Sequence, residues 1–314
     1  MVSTPKKEIE ISILVDPNKP RAILRESRRL YRTSYKNADF KHIDKVFLLT
    51  KRLYEGRFPG YLACAVEYHN FAHIAAVFAA TSRLIDGCEL SGIKLGEAIA
   101  GELLIAAILH DTGYIRMEGD TSGTGAQYTK IHVDRSAAFT LREAESFGLS
   151  PESAGRIARI ILGTDLGRSW ETLVFNSEKE RIAAEMLAVA DLLAQMADRL
   201  YLEKLLFLYH EFREAGIHGY DKAFDILKKT AGFYKLTKNR LDATLGRVSG
   251  KMKEHFDARY GVSRDLYREA IVHQMAYLES IIADDSTNFR TKLRRSHGTG
   301  CDRANDRIEY VGSI

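Results

Sequence analysis

The segment EYHNFAH, residues 67–73, places His69 and His73 four residues apart. In an α-helix this spacing puts two side chains on the same face, so we predict that both imidazoles project from one side of a helix. The H-E-x-x-H motif of zinc proteases has the same histidine spacing and uses its glutamate to activate water. Asn70 occupies the glutamate position and cannot take up a proton. The sequence therefore excludes that protease mechanism.

Two further segments carry ionisable groups within apolar sequence. ELLIAAILHD, residues 102–111, reads as a buried helix that ends with His110 and Asp111 side by side. A buried aspartate is costly unless it is paired or bound to a metal, although a helix cap with His110 bonded to the backbone is an alternative. Asp191 interrupts the apolar face of AEMLAVADLLAQMAD, residues 184–198, where a hydrogen-bonded core aspartate is the alternative.

Taken together, these segments offer a histidine, an adjacent histidine and aspartate, and a second aspartate from three predicted helices. Two imidazoles and two carboxylates suit Zn²⁺, Mn²⁺, Fe²⁺ or, less readily, Mg²⁺, and the sequence does not distinguish between these ions. Asp111 could bridge to a second ion, as carboxylates do in two-metal phosphoryl-transfer sites. We therefore expect one or two divalent metal ions.

The same residues resemble a known family. The chain looks like the HD-domain metal-dependent phosphohydrolases and, within them, the catalytic domain of the 3′,5′-cyclic nucleotide phosphodiesterases. The family motifs occur in family order between roughly residues 60 and 215. The matches are Y-H-N-x-x-H at Tyr68, His69, Asn70 and His73, H-D at His110 and Asp111, T-D-M echoed at Thr164, Asp165 and Leu166, and A-D-L at Ala190, Asp191 and Leu192.

The resemblance implies a role for each of these positions. It assigns His73, His110, Asp111 and Asp191 as metal ligands and His69 as the acid that protonates the leaving oxygen. The nucleophile would be metal-activated hydroxide, so Asn70 need not act as a base. Other positions would support the ligands or contact substrate: Tyr68, Asn70, His132, Thr164 and Asp165. For His132, a surface histidine near a helix start is an equal alternative.

The implied activity is hydrolysis of a phosphodiester or phosphomonoester, with a small phosphorylated and nucleotide-like substrate, including a cyclic nucleotide. Two positions depart from the family. Tyr114 stands where the family continues H-D-x-x-H, and Ala215 stands where a glutamine binds the purine. These departures are an argument for an alternative, a non-catalytic nucleotide- or metal-binding regulatory protein of the same helical fold. Retention of all four presumed ligands and of His69 is an argument against that alternative.

The elements that must position these residues are helices. Only Pro59 and Pro151 lie beyond residue 20, and the sequence is rich in helix-forming residues. Ser150 before Pro151 is a predicted helix cap, and SEKE, residues 177–180, is a predicted capping box in which Ser177 is the cap. Only residues 8–15, EIEISILV, alternate like a strand. We predict an all-α, multi-helix bundle of the HD-domain, phosphodiesterase-like type with a buried metal site.

We expect an N-terminal extension at residues 1–40, a helical catalytic domain at 41–283 and a polar C-terminal tail at 284–314. The formal net charge of +4 is modest, and the arginine clusters near each end read as a solvated helix face and a tail rather than a nucleic-acid surface. No apolar run is long enough to span a membrane, and three scattered cysteines favour a cytoplasmic location. The sequence carries no information on oligomeric state.

Overall fold

The computed structural model describes residues 9–14, 16–284 and 288–293. These residues contain no β-strand, only an isolated bridge between Tyr61 and Met117, so the all-α prediction is confirmed. The α-helices of the described residues are α1 (Ile11–Leu14), α2 (Pro20–Ser34), α3 (Lys41–Tyr54), α4 (Phe71–Leu90), α5 (Glu97–Leu109), α6 (His132–Arg142), α7 (Pro151–Leu162), α8 (Glu178–Met196), α9 (Tyr201–Glu214), α10 (Ala223–Asn239), α11 (Gly246–Ser249), α12 (Met252–Tyr260), α13 (Leu266–Ala283) and α14 (Phe289–Lys292). Short 3₁₀ turns lie at Thr112–Tyr114, Ala126–Tyr128 and Trp170–Thr172, and a π-helical turn lies at Arg240–Thr244.

Three mutually packed helices, α4, α5 and α8, form the centre of the bundle. α5 is apolar around most of its circumference, and its residues from Glu102 to Leu109 are all buried. A helix that is apolar on all sides is stable only in the interior, which explains its central position. α4 also contacts α2 and α12, and α8 also contacts α7 and α13. The segments predicted to carry the metal ligands therefore meet in the core.

Side-chain caps set the starts of the helices that enter this core. Ser150 accepts a hydrogen bond from the Ser153 backbone N–H at 3.2 Å, with Pro151 in the first turn of α7. Ser177 accepts from the Glu180 N–H, also at 3.2 Å. Both predicted caps are confirmed. The carboxylate of Glu180 contacts Arg159 instead of returning to the cap, so the reciprocal half of the predicted capping box does not form.

The N-terminal residues contribute helices. Ile11–Leu14 form the single turn α1, so the strand-like reading of residues 8–15 is wrong for these four residues, while residues 8 and 15 lie outside the described chain. A lone alternating segment with no neighbouring strand leaves its backbone groups unpaired, whereas a helical turn pairs them locally. Within the predicted extension, α2 packs on α4 and buries Leu24 and Tyr31 in the core.

Of the predicted C-terminal tail, residues 284 and 288–293 are described, and the latter include α14; the rest lies outside the described residues. None of the described helices is both long enough and apolar enough to cross a membrane.

Candidate metal centre

Four side chains on or directly after the three central helices converge, and three of them, His73, His110 and Asp111, have ligand atoms within 4.8 Å of one another. His73 lies in the first turn of α4, His110 and Asp111 follow the end of α5, and Asp191 lies within α8. The Nε2 atom of His73 is 3.3 Å from Asp111 Oδ2 and 3.2 Å from Asp191 Oδ1. The Nε2 atom of His110 is 3.3 Å and 3.7 Å from the same two oxygens. His73, His110 and Asp111 are buried.

These distances match those expected between ligands of a common ion. Ligand atoms about 2.1 Å from one metal lie about 3.0 Å apart at a right angle and about 3.4 Å apart at the tetrahedral angle. The two Nε2 atoms of His73 and His110 are 3.4 Å apart. Asp111 Oδ2 is buried and has no hydrogen-bond partner among the described residues. His73, His110 and Asp111 thus form a buried group that could hold a metal ion.

The tautomer of His110 also fits a metal ligand. Its Nδ1 lies 3.0 Å from the carbonyl oxygen of Ala107, a position in which the ring donates its Nδ1 proton and keeps an Nε2 lone pair. Burial lowers the pKa of His110, but the charge of Asp111 outweighs burial and holds this pKa well above its usual value. When no cation is bound, the raised pKa favours the protonated imidazole at His110, and a bound cation would replace that proton at Nε2. We infer that metal binding releases protons and weakens as pH falls.

His69 lies beside this group but not on the helix. α4 begins at Phe71 with Asn70 as its cap, so the prediction that His69 and His73 share a helical face is wrong. The Asn70 side chain accepts hydrogen bonds from the N–H groups of Ala72 and His73, at 2.9 and 3.3 Å. An asparagine at the N-cap satisfies backbone donors that lack a partner at a helix start, so α4 begins after Asn70 and His69 lies outside the helix. The two imidazole centroids are nevertheless 6.0 Å apart.

Glu211 of α9 orients His69. Its Oε2 lies 2.6 Å from His69 Nδ1, and its Oε1 accepts the backbone N–H of Tyr68 at 2.8 Å. The Tyr68 hydroxyl donates to Gln195 on α8 at 3.1 Å. A carboxylate on Nδ1 fixes the imidazole tautomer and leaves Nε2 available for proton exchange. Tyr68 and Glu211 therefore hold His69 beside the four converging side chains.

The rings of Tyr114 and His132 lie next to His69. The Tyr114 ring stacks on His69 with centroids 4.3 Å apart and on His132 with centroids 4.6 Å apart. His132 Nδ1 is 2.7 Å from the carbonyl oxygen of Thr129, and its Nε2 is 3.6 Å from Asp111 Oδ1. The Tyr114 ring thus packs against both His69 and His132. His132 faces Asp111 on the oxygen that His73 and His110 do not approach.

A close backbone approach sets the position of His132. Gly113 lies in the 3₁₀ turn after Asp111, and a Cβ added there would be 2.0 Å from the His132 carbonyl oxygen. Gly113 N–H donates to Ser136 at 2.9 Å, and Arg135 donates to the Gly113 carbonyl at 2.8 Å. Only glycine permits this contact between the turn and α6.

Thr164 and Asp165 lie in the loop after α7, without a hydrogen bond to the four converging side chains. Thr164 is buried and donates to the Ile161 carbonyl at 2.9 Å. The Asp165 side chain accepts the Gly167 N–H at 2.8 Å and pairs with Arg168 at 3.3 Å. The side chains of both residues shape the loop, and the Asp165 carbonyl oxygen accepts a hydrogen bond from Arg240 at 3.4 Å.

Sequence reasoning did not single out Glu211, Gln195 or a packing role for Tyr114. Glu211 is 142 residues from the histidine that it orients, so no local motif contains both. One signal could have found it: like Asp191, Glu211 is a carboxylate among apolar residues on a helix, here LYHEF.

The comparisons with known proteins give one partial match. A family model described as Npun_R2479-like matches residues 116–244. The matched region contains His132, Asp191 and Glu211, begins after His110 and Asp111, and covers less than half of the chain. No curated protein and no solved structure matches the chain.

Proposed function

We propose that the protein is a metal-dependent phosphohydrolase of the HD type that cleaves a phosphodiester or phosphomonoester of a small, nucleotide-like substrate. The observation that carries this proposal is the convergence of His73, His110, Asp111 and Asp191, with contacts of 3.2–3.7 Å between imidazole nitrogens and carboxylate oxygens. Two neutral imidazoles and two carboxylates carry a net charge that one divalent cation neutralises. The cytoplasm is the proposed location.

A divalent cation bound here would lower the pKa of water towards 7 and screen the charge of a phosphoryl group. Side chains of the protein would position the ligands, deliver a proton and contact the substrate. His110 caps the buried helix α5, and Asp111 precedes the 3₁₀ turn that packs on α6. Both side chains are therefore held in place by the core. His69, held through Nδ1 by Glu211, can deliver a proton from Nε2 to a leaving oxygen. His132, facing Asp111 Oδ1, is placed to contact substrate or a second cation.

The pairing of His69 with Glu211 favours catalysis over the binding-only alternative. A protein that only binds a phosphate needs donors or cations but gains nothing from a buried carboxylate that orients an imidazole for proton transfer. Glu211 is 4% exposed, and burying it is costly unless it is paired. Its contact with His69 provides that partner.

The proposal is tested with purified protein loaded separately with Mn²⁺, Zn²⁺, Fe²⁺ and Mg²⁺. Substrates would be nitrophenyl phosphate, bis(nitrophenyl) phosphate, nucleoside monophosphates and 3′,5′-cyclic AMP and GMP. We expect metal-dependent hydrolysis that is lost in Asp191→Asn and kept in Asp257→Asn, an exposed aspartate on α12. Because Ala215 offers no amide to a base edge, adenine and guanine substrates should react at similar rates. Full metal loading without turnover of any substrate would favour the regulatory alternative.

A further inference from the structure

Arg240 carries a partly buried positive charge. It begins the π-helical turn that follows α10, and its Nη2 donates to the carbonyl oxygens of Gly163 and Asp165 at 3.3 and 3.4 Å. No carboxylate of the described residues pairs with it within 4.0 Å, although the structure pairs many other arginines. π-helical turns are rare and are often found at functional sites.

Two buried N–H donors in this region have no acceptor among the described residues. One is Arg240 Nε and the other is Trp170 Nε1. The Arg240 guanidinium carbon is 5.8 Å from the centre of the Trp170 ring, and Trp170 is 7% exposed. Most buried donors in proteins are paired, and an unpaired donor costs free energy. These two donors are therefore suited to an acceptor that the described part of the chain does not supply.

The loop that holds Arg240 contacts two helices that carry residues of the candidate site, α8 with Asp191 and α6 with His132. Gly163 packs on α8, where an added Cβ would be 3.1 Å from Ala184, and Asp191 lies two turns further along that helix. From the same loop, Arg168 pairs with Asp134 of α6 at 2.8 Å, two residues after His132. The charge of Asp191 also acts on Arg240: burial lowers the pKa of the guanidinium, and Asp165 and Asp191 partly raise it again.

We propose that Arg240 and Trp170 form an anion subsite beside the metal centre and bind a phosphate oxygen of the substrate. This inference rests on the proposed function and specifies its substrate class. With a divalent cation, two aspartates and two neutral histidines, the centre itself has no net charge, so Arg240 supplies the excess positive charge. A planar guanidinium matches the oxygens of a phosphate, and the indole N–H adds a neutral donor. The subsite therefore favours dianionic phosphates over neutral or singly charged esters.

Trp170 also provides the test, because it is the only tryptophan of the chain. Inorganic phosphate would be titrated into the metal-loaded protein and followed by tryptophan fluorescence. We expect saturable binding in wild type, at least about 10-fold weaker binding in Arg240→Gln, and unchanged binding in the control Arg25→Gln, an exposed arginine on α2. Trp170→Phe, followed by calorimetry because it removes the fluorophore, should weaken binding less than Arg240→Gln.

The outcomes separate the subsite from the proposed function. Equal phosphate affinity in wild type and Arg240→Gln, with both folded by circular dichroism, would overturn the subsite. A lower melting temperature in Arg240→Gln with unchanged phosphate affinity would overturn it too, since Arg240 would then only tie the loop. If wild type binds no metal, the proposed function fails, and the same titration on metal-free protein still decides for or against the subsite.

Discussion

At the scale of single residues, the contacts that His69 makes indicate its role better than its spacing from His73 does. Glu211 contacts its Nδ1 at 2.6 Å, and Tyr114 stacks on its ring. Neither contact involves the four converging side chains. A residue held in this way can be replaced without removing a ligand, which makes its role separable from metal binding.

We predict that His69→Ala keeps its metal and loses about 10²–10⁴-fold in kcat, the range of general acids. Glu211→Gln should lose about 10–100-fold, because the imidazole remains but loses its orientation. Both losses should shrink on nitrophenyl esters, whose leaving groups depart with little protonation. Rates on nitrophenyl and alkyl phosphates, with elemental analysis of each variant, provide the measurement.

His273→Ala, an exposed histidine on α13, is the control for the loss of an imidazole. Equal losses on both substrates with full metal would make His69 a positioning residue. The acid would then be sought at His132. Loss of metal in His69→Ala would contradict the assignment, because His69 would then act as a ligand.

The sequence predicted the residues that converge here better than those that orient them. Asp191 and Asp111 stand out because a carboxylate in an apolar helix is unusual, and the motif spacing singled out His73. Glu211 lies far along the chain from His69, and its approach to that residue depends on how α9 packs. Helix content was predictable from composition, but the start of α4 at Phe71 depended on the cap at Asn70, which moves His69 off the helix.

At the scale of elements, the contact between the 3₁₀ turn 112–114 and α6 decides where His132 lies. Gly113→Ala would force its Cβ against the His132 carbonyl, and backbone atoms cannot move aside as flexible side chains can. We predict a destabilisation of about 1–3 kcal/mol, typical of overpacking, together with reduced activity. Chemical unfolding and phosphatase rates would measure both.

Gly119→Ala is the matched control, because a Cβ at Gly119 meets no atom within 4 Å in the same loop region. It should change neither stability nor activity. A Gly113→Ala variant as stable and active as wild type would show that the turn and α6 separate easily and do not fix His132.

At the scale of the whole molecule, α4 connects the candidate metal centre to the rest of the bundle. Beyond His73, Arg83 is fully buried and pairs with Glu26 of α2 at 2.9 Å, and its Nη1 donates to the hydroxyl of Tyr267 on α13 at 3.0 Å. Asp86 accepts from His255 and Arg259 of α12 at 2.7 and 2.6 Å. Buried ion pairs of this kind are costly to break on one side only, so they fix how α2, α12 and α13 pack around the helix that carries His73.

The stability of the folded protein should depend on pH through Asp265, the N-cap of α13. Burial raises its pKa to about 6, and hydrogen bonds and the charge of Arg268 offset this only in part. Because the folded pKa exceeds the usual value of 3.8, the folded state binds more protons between the two pKa values. The contribution of Asp265 to stability is therefore full below about pH 4 and is lost as pH rises through about 6.

Asp265→Asn keeps a cap acceptor and cannot ionise. We predict that it stabilises the protein at pH 8 by up to about 3 kcal/mol and has little effect at pH 4. Urea unfolding at both pH values measures the difference. Asp39→Asn, which alters an exposed carboxylate that accepts the Lys41 N–H, is the control for the replacement of an aspartate by asparagine. A gain in Asp265→Asn that is equal at both pH values would contradict the prediction.

The central claim is that His73, His110, Asp111 and Asp191 bind a divalent cation together. The most direct test is elemental analysis of wild type, Asp191→Asn and Asp257→Asn after loading with Mn²⁺, Zn²⁺ or Fe²⁺ and dialysis. We predict at least one bound ion per chain in wild type and in Asp257→Asn, and substoichiometric metal in Asp191→Asn with its fold intact by circular dichroism. Wild-type protein that retains none of these ions, or an Asp191→Asn variant that retains as much as wild type, would contradict the claim.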